Sequence, residues 1–252
     1  MSETVLDPSP RPIGETYWIQ SRQPLASLLF IAPLLLTYEA AVIVLGPRAI
    51  RNGADAWLRL VLDHIGFGQY FLLPILTVCI LLAWHHTTHQ PWRVHGHVFY
   101  GMVAESIFAA IALRILLQVQ GSLLETLIEP GTSSAPANDM VQHLFQTVRT
   151  RVGYFGAGIY EELLFRLILL SLLMLALHAL RLPKWSTILL AVLASSLLFS
   201  AAHYVGGRET FTSFSFLFRF LAGVFFSLLF LYRGFGIAAG AHAGYDILVG
   251  FI

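Results

Sequence analysis

The sequence predicts an all-α, polytopic transmembrane helix bundle, and three observations carry that expectation. Of 252 residues, 57% are hydrophobic and only 12% are charged, whereas a soluble domain is nearer a quarter charged. Apolar runs of about 20 residues, the length that crosses a bilayer core, recur along the chain. The polar stretches between them are too short to form a soluble domain. The formal net charge is +1, so no overall field points to nucleic acid, and the expected surroundings are the lipid bilayer.

About seven spans are expected, at roughly 25–46, 69–85, 98–118, 152–178, 185–205, 212–232 and 235–252. Residues 1–24 read as a polar N-terminal segment of mixed charge without the features of a cleavable signal peptide. Residues 25–150 read as accessory transmembrane helices and an amphipathic connector, and residues 151–252 as a C-terminal four-helix core. Within the connector, 131–139 reads as an exposed loop. After it Met140, Val141, Leu144, Phe145 and Val148 share one helical face, as in an interfacial helix. With no organelle signal, the expected location is a bacterial cytoplasmic membrane, multi-pass.

Several polar residues have ordinary structural readings. One cysteine, Cys79, makes neither an internal disulfide nor a thiolate zinc site. His85, His86, His89, His95 and His97 read as a solvated loop after the second span. Glu39, Glu105, Arg114 and Arg219 lie inside spans, where charge is costly, and each is expected to pair with another helix.

The chemistry concentrates in the last four spans. Glu161-Glu162-Leu-Leu-Phe-Arg166 lies in an apolar run, where each charge costs at least ~2.5 kcal/mol before pairing. Glu162 and Arg166 are i,i+4, so they face each other on a helix. Glu161 is turned about 100° away and is expected to project elsewhere. One carboxylate is then held by arginine while the other is available as a base. His203 follows Phe199 by one turn, and His242 precedes Asp246 by one turn. Counted from the span ends at 1.5 Å per residue, all these groups fall in the same half of the ~30 Å core. Gly240, Ala241, Ala243 and Gly244 are small enough to let the last span pack closely. Tyr160 and Tyr245 adjoin the motifs as possible donors.

A carboxylate and an imidazole can hold and deprotonate a water, and further polar groups can stabilise an oxyanion. Glu161, His203 and His242 could instead ligate Zn²⁺. The His-Glu-x-x-His signature of soluble zinc proteases is absent. The spacing alone leaves direct and metal-assisted hydrolysis both open. It also leaves open a proton-coupled transporter or channel using the same polar cluster, and a non-catalytic membrane scaffold.

In order along the chain, Glu-Glu-x-x-x-Arg at 161–166, Phe-x-x-x-His at 199–203 and His-x-x-x-Asp at 242–246 resemble the motifs of the CPBP family. This family comprises CAAX prenyl proteases and bacteriocin-processing membrane enzymes, also called ABI proteins. The resemblance covers roughly residues 150–250, and the Phe220–Gly223 region adds a weak signal. It implies an intramembrane endopeptidase acting on membrane proteins or lipidated peptides. Residue by residue, it implies Glu161 as the base, Glu162 with Arg166 as a supporting ion pair, and His203 as a holder of water or metal. It implies His242 and Asp246 as the oxyanion or second-ligand group. The family motif often ends in Asn. An aspartate cannot donate a hydrogen bond unless protonated, which shifts the expectation for Asp246 toward metal ligation or orientation of His242.

Overall fold

The computed structural model describes residues 13–46, 53–68, 71–125, 155–205 and 210–250, which are mostly helical and contain no strand. Nine helices are described: α1 Ile13–Gln20, α2 Pro24–Leu45, α3 Gly53–His64, α4 Leu72–Thr87, α5 Gly96–Glu125, α6 Ala157–Ala179, α7 Lys184–Ala202, α8 Ser213–Arg233 and α9 Phe235–Gly250. The expected 131–139 loop and the 140–149 amphipathic helix lie outside the described residues.

Five helices, α2, α5, α6, α7 and α8, are long and apolar enough to cross a membrane. The expected spans at 69–85 and 235–252 correspond to the 16-residue α4 and α9, whose length of about 24 Å falls short of the ~30 Å hydrocarbon core. The polar N-terminal stretch and the connection after α2 contribute α1 and α3, which hydropathy did not signal.

Local sequence explains where the membrane helices start and stop. α2 opens on Pro24, whose missing N–H is harmless in a first turn. Pro33 lies inside the same helix, and its carbonyl accepts from the Thr37 hydroxyl at 2.7 Å. α8 begins where the Thr212 side chain accepts the Ser215 N–H. It ends at Gly234, whose φ of 88° is open chiefly to glycine, and this turn feeds straight into α9.

The small residues of α9 decide the architecture. α9 packs against α2, α5, α6 and α8, and its residues Phe235 to Ala239 and Ala241 to Ala243 are buried. At Gly240 a Cβ would lie 2.7 Å from both Phe30 of α2 and Ser106 of α5. At Gly158 of α6 it would lie 2.7 Å from the Ala239 carbonyl and from the Ala243 Cβ. Helices approach this closely in membranes through small residues and van der Waals contact.

Glu39 and Glu105, two of the four charged residues expected to pair with another helix, find arginines there. Arg59 lies 3.2 Å from Glu39, and Arg233 clasps Glu105, which also accepts from Tyr17 at 2.6 Å. The Arg233 guanidinium lies 3.6 Å above the Trp18 ring, so α1 is fastened to the end of α8. Burial, then the bond to Glu105, pushes the Tyr17 hydroxyl up to about 12, so it stays a donor at neutral pH. Arg219 donates to the Tyr204 hydroxyl at 3.1 Å. Cys79 is exposed.

The histidine cluster departs from its solvated reading at His85, which is fully buried edge-on to Trp92 with ring centroids 4.6 Å apart. Leu73, Thr77 and Leu81 are buried on the same stripe of α4, and His85 continues that stripe by one turn.

Close approach at Gly158 makes a direct prediction. Gly158→Ala is expected to lower stability by about 1–3 kcal/mol through overpacking. Gly121→Ala in α5, where a Cβ meets nothing within 4 Å, is expected to be neutral or to stabilise by up to about 1 kcal/mol. Thermal unfolding of the two variants in the same detergent provides the comparison.

Candidate active site

Three helices bring the sequence motifs together, and a fourth closes the group. α6 supplies Glu161, Glu162 and Arg166, α7 supplies Phe199 and His203, and α9 supplies His242 and Asp246. The segments Ala157–Glu161 and Leu163–Leu170 of α6 are wound as π-helix on either side of Glu162, and the helix runs continuously as α from Ser171. Such i→i+5 winding is rare and concentrates at functional sites. Nothing in the residue pattern announces it. Its wider turns are met from outside by Ser195 of α7, whose hydroxyl donates to the Phe165 carbonyl at 2.9 Å.

The deep end of the site is a buried charge group. Arg166 Nε lies 3.2 Å from Glu162 Oε2, and both side chains are wholly buried. The guanidinium also donates to the Gly223 carbonyl of α8 at 3.4 Å. It lies 4.3 Å from the Phe199 ring centroid and 5.5 Å from that of Phe226. Aromatic faces offset part of the desolvation of a cation.

The other oxygen of Glu162 serves His242, whose Nδ1 lies 2.8 Å from Glu162 Oε1. A carboxylate only accepts, so Nδ1 carries the proton and Nε2 is left to face the opposite side. Glu161 Oε2 is 3.7 Å from that Nε2. The two adjacent acids, expected to project into different surroundings, therefore straddle one imidazole ring. His203 completes the pattern in the same sense. Its Nδ1 donates to the Phe199 carbonyl at 2.9 Å, and its Nε2 lies 3.9 Å from Glu161 Oε2. Both imidazoles are thus oriented through Nδ1 and turn Nε2 toward Glu161.

Asp246 Oδ2 lies 3.8 Å from His242 Nε2, on the same side as Glu161. The carboxylate that hydrogen-bonds and orients His242 is Glu162 rather than Asp246. The reason is reach: α6 runs against α9 at Gly158, which brings Glu162 to Nδ1, while Asp246 shares a helix with His242 and lies beyond its other nitrogen.

Exposure divides these groups. Glu162 and Arg166 are fully buried, whereas the side chains of His203 and Asp246 are 23% and 22% exposed. The site therefore has a closed charged floor and an open mouth, with Glu161 between them.

The donor types at the mouth suit zinc, which accepts imidazole and carboxylate. Their placement does not: among the described residues, no group of three or more His, Cys, Asp or Glu is gathered closely enough to hold a metal ion. Separations of 3.7–3.9 Å between Glu161 and the two Nε2 atoms exceed the roughly 3.3 Å between ligands in a tetrahedron of ~2.0 Å bonds.

One neighbour escaped the sequence reading and another was only weakly signalled. Phe226 stacks on His242 with centroids 4.5 Å apart and planes 13° from parallel. The Gly223 carbonyl caps Arg166. The weak Phe220–Gly223 signal pointed to this stretch of α8, but Phe226 was one of many phenylalanines in an apolar run. Tyr160 and Tyr245, read as donors to the site, turn elsewhere. Tyr160 donates to Glu39, and Tyr245 packs its ring against Phe218 at 5.8 Å.

Arg166→Met is expected to destabilise the protein by about 3–5 kcal/mol, because it strands Glu162 in a buried site. The double variant Glu162→Gln with Arg166→Met is expected to recover part of that loss. Unfolding of the three proteins in one detergent reads the difference.

Residues 144–248 match the model of the type II CAAX prenyl endopeptidase, Rce1-like family. No curated protein and no solved structure matches the chain. The matched segment contains Glu161, Glu162, Arg166, His203, His242 and Asp246, and it agrees with the CAAX-protease resemblance of the three motifs. The chain is an integral membrane protein, and its site-bearing segment, residues 144–248, is similar to the type II CAAX prenyl endopeptidase, Rce1-like family.

Proposed function

We propose that the protein is an intramembrane endopeptidase in which Glu161 activates the attacking water. The observation that carries this reading is the convergence of two imidazole Nε2 atoms on Glu161 Oε2, at 3.7 and 3.9 Å. A water between them donates one hydrogen to Glu161 and the other to an imidazole lone pair. Glu161 takes the first proton as the water oxygen attacks the scissile carbonyl carbon. When His242 is protonated, its Nε2–H donates to the oxyanion that forms. The carboxylates of Glu161, Glu162 and Asp246 surround that ring and offset its charge. Collapse of the intermediate expels the amine, which recovers the proton held by Glu161.

Glu162 and Arg166 have a supporting role here: they hold the His242 tautomer. Asp246 lies at the mouth, where it adds to the negative field around His242. Substrates are membrane-embedded or lipid-modified, CAAX-like peptides, entering from the exposed side of His203 and Asp246 or laterally from the bilayer. The proposed location is a bacterial cytoplasmic membrane. Aromatic closure by Phe165, Phe199 and Phe226 around Arg166 supports hydrolysis over a transmembrane relay, which needs a polar path through to the far side.

Zn²⁺ would supply Lewis-acid activation of the same water if Glu161, His203 and His242 moved closer together. The steps above use the chain's own residues. Hydrolysis is accordingly expected to persist after EDTA treatment with metal content checked by elemental analysis. Loss of activity restored by Zn²⁺ would instead assign these three residues as ligands.

Mapping of new protein termini in native membranes tests the main reading. Glu161→Ala is expected to remove a defined set of termini and to lower the cleavage rate by at least about 10²-fold, with the protein still folded. Unchanged termini with folded Glu161→Ala would refute the role of Glu161.

A further inference from the structure

A second buried polar group sits on α6 immediately before Glu161. Tyr160 is fully buried, and its hydroxyl donates to Glu39 of α2. Glu39 also accepts from Arg59 of α3 at 3.2 Å. Arg59 Nε donates to Asp55 Oδ1 at 2.5 Å, and Asp55 Oδ2 accepts from the Tyr38 hydroxyl at 2.7 Å. The Tyr38 ring then returns to α6. It meets Tyr160 edge-on with centroids 5.7 Å apart, and it fills the space beside Gly156, where a Cβ would lie 2.3 Å from the ring. The circuit leaves α6 at Tyr160, passes through α2 and α3, and comes back one turn earlier.

Adjacent residues on a helix point in different directions, so Tyr160 faces this circuit while Glu161 faces the two imidazoles. The segment Ala157–Glu161, which carries Tyr160, is π-wound, a rare winding that concentrates at functional sites. Apolar contacts would hold α2 against α6 equally well, since burying acids and a guanidinium is expensive. A hydroxyl-to-carboxylate bond adds direction, which apolar contact lacks: it resists rotation of α6 about its axis.

We propose that Tyr160 and Glu39 are positioning residues for Glu161, an inference that rests on the protease reading above. Their hydrogen bond sets the rotation of the π-wound turn, so that Glu161 Oε2 stays between Nε2 of His203 and Nε2 of His242. Neither residue touches the reacting atoms.

The test uses the full-length protein in native membranes and then in detergent. Terminus mapping with wild type and Glu161→Ala first identifies Glu161-dependent cleavages, and a synthetic peptide spanning the strongest of them serves as the kinetic probe. Tyr160→Phe keeps the ring and its contact with Tyr38 but removes the hydroxyl. It is expected to lower kcat about ten-fold, because small misplacements of a reacting group are costly, with KM and Tm unchanged. Glu39→Gln leaves an acceptor for Tyr160 and is expected to keep kcat nearer wild type. If kcat of Tyr160→Phe equals wild type, or falls only in step with Tm, the positioning role is overturned while the protease reading stands. If no cleavage depends on Glu161, the protease reading falls and this inference falls with it.

Discussion

The structure depends on one constraint: a fully buried arginine at membrane depth must never lose its partners. Desolvating a guanidinium costs several kcal/mol even after relaxation, so Arg166 dictates what surrounds it. Glu162 supplies the opposite charge, the Gly223 carbonyl supplies an acceptor, and Phe199 and Phe226 supply aromatic faces. These residues come from α6, α7 and α8. The helices are thereby held together by a polar centre, in a setting where the hydrophobic effect does not draw them together.

That centre also sets the chemistry. Glu162 has two oxygens, and Arg166 engages only one. The other fixes His242 through Nδ1 and so aims Nε2 at Glu161. Phe226 stacks on the same ring, while the Phe199 carbonyl aims His203 in the matching sense. The site is ordered from the inside outward: a dry charged floor, two oriented imidazoles, then a carboxylate where water can arrive. The small residues of α9 make this possible, because only a close approach of α9 to α6 brings His242 within hydrogen-bonding distance of Glu162.

Away from the site, the same rule recurs on a smaller scale. Two acids inside spans are neutralised by arginines on other helices, Glu39 by Arg59 and Glu105 by Arg233. The first pairing ties α2 to the short α3; the second ties α5 to α8, and Tyr17 of the short α1 donates to the same Glu105. The short helices carry little hydropathic signal of their own, which is why composition did not reveal them.

Much of the bundle was legible in the sequence, because a membrane imposes a strong and simple signal. Five of the expected spans coincide with helices long and apolar enough to cross. The Glu162–Arg166 facing and the close packing of α9 follow from helical periodicity and residue size. What only the tertiary structure decided is direction. The π winding of α6, the straddling of one imidazole by Glu161 and Glu162, the outward turn of Tyr160 and the stacking of Phe226 have no local signature. The physical reason is that sequence spacing fixes neighbours along a helix, whereas the partner of a side chain across helices depends on how each helix is rotated. Here that rotation is set by buried charges finding one another and by glycines that let them meet.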